Sequence, residues 1–332
     1  MHKNKFARLS RLSVAFCLAI SITAAGAALP SAGATKSQQS LAFLQNHFVS
    51  GKFIEGLTQG QPDYGFSLEG LLQLRALGAS KANLTIADKY LLASPDVSGT
   101  LSDTSGYLFN AGKLRLGLAG KWAFVSAVLG TSNLATRRGI IGAMSSKIDG
   151  SGDVAADARA NTYDRAWMVL ALVANDRPRQ AATLASNMAK HQLADGGFND
   201  GFTLGSSSTD GTGITLQALG AALPQAATSE AKTIHEAISR AAAYLAANVK
   251  SDHFESYGDA DVNGTAYAAM GLRAVGKSTL GTVQWLKGKL ASDGGLTTPW
   301  SAGSGDIYAT AQGLVAMQGR SYLDLLKPIK KG

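Results

Sequence analysis

Cysteine is almost missing from this chain: among 332 residues there is one, Cys17. It falls in an N-terminal stretch that reads as a leader, so disulfides, thiolate metal ligands and a cysteine nucleophile are all excluded from the mature protein. Histidine is scarce as well. His47, His191, His235 and His253 lie far apart without metal-ligand spacing, and no metal site is expected. No stretch reads as a convincing strand, so no Gly-rich phosphate loop follows one, and no cofactor is expected. A basic stripe interleaved with aromatics is also lacking, which sets nucleic acid aside as a partner.

Residues 1–34 carry Lys3, Lys5, Arg8 and Arg11, then an apolar run from Val14 to Leu29, then the small-x-small sequence Ala32-Gly33-Ala34. That is the layout of a secretory signal peptide. The run is broken by Ser21, Thr23 and Gly26 and ends at Pro30, too interrupted for a membrane span. The mature chain is expected to start near Thr35 and to be secreted, either free outside the cell or associated with its wall. Without the leader's four basic residues the net charge falls from +8 to +4. The basic residues that remain are dispersed, apart from Lys327-Pro328-Ile329-Lys330-Lys331 in a basic tail assigned to 321–332.

What the chain does have is a repeat. Gln192-Leu193-Ala194-Asp195-Gly196-Gly197-Phe198 closes one helix, and Thr209-Asp210-Gly211-Thr212 opens another that ends at Gly220. Helices that end at Gly78, Gly130, Asn175, Gly220, Gly276 and Gly319 mark six such units, each long enough for two helices and two loops. The second helix of each later unit is apolar nearly all round, as a buried helix is, whereas the first carries charge on one face. Gly112, Gly117 and Gly120 interrupt the pattern of the second unit. Six pairs with no polar capping unit predict a closed, all-α (α/α)6 toroid over residues 35–320, with an inner and an outer ring, an open helical array being the alternative.

The Gln-x-x-Asp-Gly-Gly-Phe sequence at 192–198, echoed by Trp285 and Asp293-Gly294-Gly295, resembles the repeat of the protein prenyltransferases and the squalene and terpenoid cyclases. The resemblance implies an alpha-alpha toroid over most of residues 37–320. Its catalytic signatures are incomplete. The prenyltransferase zinc set of Asp, Cys and His has no Cys here. The Asp-x-Asp-Asp acid of the class II cyclases is matched only by Asp259-Ala260-Asp261-Val262, without the last Asp. A thioester needs a Cys, and cobalamin carriers usually add a β domain for which little chain follows Gly319.

An acid stands near the start of each expected inner helix: Glu69, Asp103, Asp164, Asp210, Asp261 and Asp306. Helix N-termini favour acids as caps, so each has a structural explanation. If the inner helices are parallel, these acids also ring one mouth of the barrel beside Tyr64, Tyr163, Tyr257, Tyr267 and Tyr308, with Trp167 on the wall and Phe198 and Trp300 in mouth loops. The expected ligand-binding set is therefore Tyr64, Glu69, Tyr163, Asp164, Trp167, Phe198, Asp210, Asp261, Tyr267, Asp306 and Tyr308. The reading preferred from sequence is a barrel that binds a small molecule (isoprenoid or cobalamin-like) or a cell-wall glycan without chemistry. The alternative is an enzyme, cyclase-like through Asp261 or carbohydrate-active through a pair among Asp210, Asp261 and Asp306.

Overall fold

The computed structural model describes residues 35–92, 106–110, 112–130, 134–156, 160–201, 205–279 and 281–326. The expected leader, Asp103 and the basic run at 327–331 lie outside them. Twelve α-helices alternate between two rings among the described residues. The outer ones are α1 (Lys36–His47), α3 (Lys81–Leu91), α5 (Leu134–Ser145), α7 (Pro178–Ala189), α9 (Thr228–Asn248) and α11 (Thr282–Gly288). The inner ones are α2 (Tyr64–Ala76), α4 (Leu116–Leu129), α6 (Thr162–Ala174), α8 (Thr209–Ala222), α10 (Val262–Ala274) and α12 (Ile307–Met317). Each inner helix packs on the next, and α12 packs on α2, so the ring is closed. This is the (α/α)6 toroid that the repeat predicts.

Closure is secured by polar contacts between the first and last units. The Gln73 side chain accepts from the Val315 N–H at 2.7 Å, and the Tyr308 hydroxyl donates to the Glu55 carbonyl at 3.1 Å. On the outer side, a Cβ on Gly294 would lie 2.3 Å from the Gln39 backbone, so only glycine lets the last unit seat against α1. Gly294 has φ +94° and its counterpart Gly196 has φ +90°, the left-handed region that glycine enters without cost.

The helix ends follow from local chemistry. Asp63, Ser208, Asp261 and Asp306 each cap an inner helix by accepting a backbone N–H three residues on, and Asn161 forms a capping box with Asp164. Gly78, Gly130, Gly276 and Gly319 sit at positive φ beyond the far ends. Gly220 does not end its helix as expected. It lies inside α8, where a Cβ would meet Val275 at 3.0 Å. Gly117 and Gly120 do not interrupt α4 either: a Cβ on Gly120 would lie 2.8 Å from the Trp167–Met168 backbone, so glycine permits the close α4–α6 approach.

The expectation that strands are absent is corrected by three short antiparallel hairpins: β1 (Phe48–Val49) with β2 (Phe53–Ile54), β3 (Phe109–Asn110) with β4 (Lys113–Leu114), and β5 (Phe254–Ser256) with β6 (Asp259–Asp261). All lie in outer-to-inner connections, and single bridges close the other three connections at 148–154, 198–208 and 296–306. In four units a hydroxyl in the first turn of the inner helix accepts the N–H of the loop's buried apolar residue: Ser67 from Ile54, Thr212 from Phe198, Thr265 from Phe254 and Thr310 from Leu296. Strands of two or three residues are too short to show in a periodicity, which is why the sequence hides them.

The lower part of the ring is filled from within. Tyr322–Leu325 forms a 3-10 turn against α2, α8 and α10, and Tyr322 is fully buried. Its N–H donates to Gln217 at 2.9 Å, and its ring contacts Phe124, Trp167 and Tyr267. Residues 321–325 are thus the floor of the barrel rather than the start of a solvated tail.

Candidate functional site

The inner helices all start at one end of the ring, and the space above the aromatic floor opens there. Its central cavity, about 530 Å³, is walled by first-turn and second-turn residues of all six inner helices, among them Glu69, Lys121, Tyr163, Asp210 and Tyr267, with Tyr308 and Gln312 both from α12. Adjoining spaces of about 350 Å³ and 500 Å³ extend it towards Asp164 and Trp167 on one side and towards Asp261 on the other. Asp200 borders all three.

A buried polar network forms the base of this cavity. The Glu69 carboxylate, 1% exposed, pairs with the Lys121 ammonium and accepts from the Tyr267 hydroxyl at 2.5 Å and the Tyr322 hydroxyl at 3.0 Å. Tyr267 continues to Tyr163 at 2.7 Å and receives the Gln312 amide at 3.4 Å. Lys121 also lies over the Trp167 ring, 4.9 Å from its centre. Burial, and next the charge of Glu69, push the Tyr163 and Tyr267 hydroxyls well above the usual phenol range. They therefore stay neutral and serve as donors.

The acids divide by what they do. Asp63, Asp261 and Asp306 cap helices, and Asp164 completes a capping box with its side chain against Gly117, where no Cβ would fit. Asp210 is different. Ser208 already caps α8, and the Asp210 Oδ1 atom is shut off from water with no hydrogen-bond partner. Burial first, then Asp261, Asp200 and Glu69, push its carboxyl well above the usual range. Burial also raises Asp261, but the Gly264 and Asn263 N–H groups favour its ionised form.

Asp210 and Asp261 face one another across Gly264. A Cβ built there would be 2.5 Å from Asp261 Oδ2 and 3.0 Å from Asp210 Oδ1, and those two distances together bound the oxygen separation at about 5.5 Å. Two carboxyls this close in a sheltered site share a proton. Asp210 keeps it, because it has no donor for a negative charge whereas Asp261 Oδ1 accepts the Gly264 N–H at 2.9 Å.

Of the residues expected from sequence, Glu69, Tyr163, Asp210, Tyr267 and Tyr308 share the central cavity, and Asp164, Trp167 and Asp261 line its extensions. Three do not belong to it. Phe198 is fully buried, because its N–H is tied to Thr212 and the ring packs in the core. Tyr64 stacks on Tyr107 at 4.0 Å, away from these walls, with its hydroxyl pushed up to about 12 by burial and by Tyr90. Asp306 serves as a cap outside the walls described here. Sequence reasoning missed Lys121, Asp200, Gln312 and Tyr322, since a lone lysine in an apolar helix or an acid in a glycine-rich loop carries no periodic signal.

No protein-family profile and no curated protein matches the sequence. Solved structures do share the fold. One is an unsaturated glucuronyl hydrolase from Bacillus sp. GL1, responsible for the degradation of glycosaminoglycan, with a TM-score of 0.56 and 14% identity over 85% of this chain and 93% of that one. A second is such a hydrolase with the oligosaccharide dGlcA-Glc-Rha-Glc, with a TM-score of 0.56 and 13% identity over 85% of this chain and 93% of that one. A third is a glycosidase variant in complex with glucose, with a TM-score of 0.52 and 15% identity over 88% and 97%. At these identities the likeness establishes an alpha-alpha toroid. The expectation of a barrel without chemistry stands against these structures, which are glycoside hydrolases. Isoprenoid and cobalamin-like ligands gain no support from them. Among the described residues no helix is long and apolar enough to cross a membrane, and no group of three or more His, Cys, Asp or Glu is placed to hold a metal ion.

Proposed function

We propose that this chain is an exported, carbohydrate-active enzyme that cleaves a glycosidic bond at the mouth of its toroid. The observation that carries this reading is the Asp210–Asp261 pair: one carboxyl with a buried, unpartnered oxygen in a helix that Ser208 already caps, the other a cap whose second oxygen lies within about 5.5 Å of it. Glycosidases that retain configuration hold their two carboxyls roughly 5–5.5 Å apart, whereas inverting ones leave roughly 6.5–9.5 Å for a water. An upper bound of about 5.5 Å between the facing oxygens lies below the inverting spacing, so the retaining course is the one taken here.

In that course Asp210 gives its proton to the glycosidic oxygen as the bond to the anomeric carbon breaks, and Asp261 Oδ2 attacks that carbon. The departing alcohol carries the proton away. Asp210, now ionised, takes a proton from water, whose oxygen displaces Asp261 and releases the sugar. Gln312, whose amide has a second N–H beyond the one given to Tyr267, offers a donor to the ring hydroxyls from the cavity wall, and the Tyr163 oxygen offers an acceptor. Asp63, Glu69 and Asp200 outnumber Lys121, which is already paired with Glu69, so the central cavity suits a neutral sugar better than a uronate.

The test is a panel of aryl glycosides and unsaturated uronyl oligosaccharides, assayed with the wild type, Asp210→Asn and Asp261→Asn, the folds checked by circular dichroism. Release of the aglycone that each substitution lowers at least about a hundredfold supports the reading. Folded variants that turn over as the wild type does sink it. The cyclase-like alternative shares Asp261, but there Asp261 donates the proton. It is separated by incubation with a linear triterpene, where cyclic product lost in Asp261→Asn and kept in Asp210→Asn would favour it.

A further inference from the structure

Beside the mouth lies a separate cavity of about 240 Å³ whose walls include Tyr257, Asp259, Asp261, Asn263, Thr298 and Trp300. Trp300 is 73% exposed and Tyr257 98%. Large rings left in water at a pocket's rim, rather than scattered singly, mark a binding surface. Both come from mouth loops. Tyr257 occupies the first central position of the β5–β6 turn with φ +54°, ahead of Gly258 at +90°. A two-residue turn of that kind prefers Asn or Gly there, so a tyrosine has no local conformational reason to be present.

We infer that Trp300 and Tyr257 form an aromatic platform that holds a second stretch of an oligosaccharide, leading the chain out of the catalytic mouth. The inference rests on the glycosidase reading. The cavity adjoins the site: Asp261 also lines the 500 Å³ space and Asn263 the central one. Its chemistry alternates as a pyranose does. An indole and a phenol present flat apolar faces to the C–H side of a sugar ring, and polar groups stand at the edges to meet its hydroxyls. Thr298 Oγ1 is buried there with no hydrogen-bond partner, and Asp259 supplies an acceptor. The walls contain two carboxylates and no lysine or arginine, which selects a neutral glycan over a polyuronate.

The experiment is native electrophoresis of the mature protein through gels containing hydroxyethyl cellulose, xylan, galactomannan or polygalacturonate. The wild type is expected to be retarded by at least one neutral polymer and not by polygalacturonate, with Trp300→Ala and Tyr257→Ala each weakening the apparent affinity. For Trp300→Ala the loss is about tenfold, the equivalent of about 1.4 kcal/mol. On oligosaccharides of three or more rings, KM rises by a similar factor while kcat changes little. Absence of retardation in every neutral polymer, or retardation that both substitutions leave intact, overturns the platform. Retardation that depends on Trp300 without turnover of any glycoside keeps the platform and removes the glycosidase reading. Turnover without retardation does the reverse.

Discussion

Glu69 and Lys121 make a buried ion pair whose energetics can be worked from its surroundings. The two side chains are 1% and 9% exposed, so water cannot replace a lost partner. Removing one member of such a pair costs about 3–5 kcal/mol. Lys121→Met should fall at about 3, since Glu69 keeps the Tyr267 and Tyr322 hydroxyls as donors. Glu69→Leu should approach about 5, because it strands the ammonium with only the Trp167 and Tyr163 rings and leaves two hydroxyls without their acceptor. The double substitution removes both charges and orphans mainly Tyr322, so its cost should be about 4 kcal/mol, well below the combined single costs. Urea unfolding of the four proteins measures the cycle, and Lys121→Met should lower Tm by about 6–12 °C. Additivity to within about 0.5 kcal/mol would refute the reasoning, because the two groups would then not depend on one another in the folded state.

Removing a negative neighbour lowers the pKa of a general acid, so Asp200→Asn should move the high-pH limb of kcat/KM to lower pH; an unmoved limb counts against Asp210 as the proton donor. Because the folded-state pKa of Asp210 is raised, its stabilising contribution is present at acid pH and is lost as pH rises through that value. Asp210→Asn should therefore flatten the fall in Tm over that interval, as followed by a thermal scan at several pH values. Gly117→Ala places a Cβ 1.8 Å from Asp164 Oδ1 and should destabilise by about 1–3 kcal/mol, whereas Gly142→Ala, with open space around it on exposed α5, should stabilise by about 0.4–1; denaturant midpoints compare the two. Tyr322→Ala removes the aromatic floor and should cost about 3–5 kcal/mol by the same measurement.

The ring was legible because its information is repetitive. The apolar inner helix recurs six times, a side-chain cap opens five of the six and a left-handed glycine follows four, and each recurrence restates which face is buried. The first glycines of the Asp-Gly-Gly turns were legible as left-handed positions for the same reason, but they turn the connecting loop rather than stop the helix, since α7 already ends at Ala189 and α11 at Gly288. Gly117 and Gly120 were not, because a glycine that breaks a helix pattern and one that admits a neighbouring backbone are the same letter; only the position of α6 tells them apart.

The site was partly legible for a subtler reason. An acid at the start of an inner helix is over-explained: capping accounts for it whether or not it also reacts. The structure removes that ambiguity one residue at a time. Asp261 and Asp306 are both committed through Oδ1 to a backbone N–H, but only Asp261 has its other oxygen turned towards a second carboxyl. Asp210 stands at the second position of a helix that Ser208 already caps, with an oxygen buried and unpartnered. A residue that carries a desolvation cost and returns no structural contact is the one whose presence calls for chemistry. Sequence shows both aspartates as equals in a series, and it is the serine two residues earlier that sets Asp210 apart.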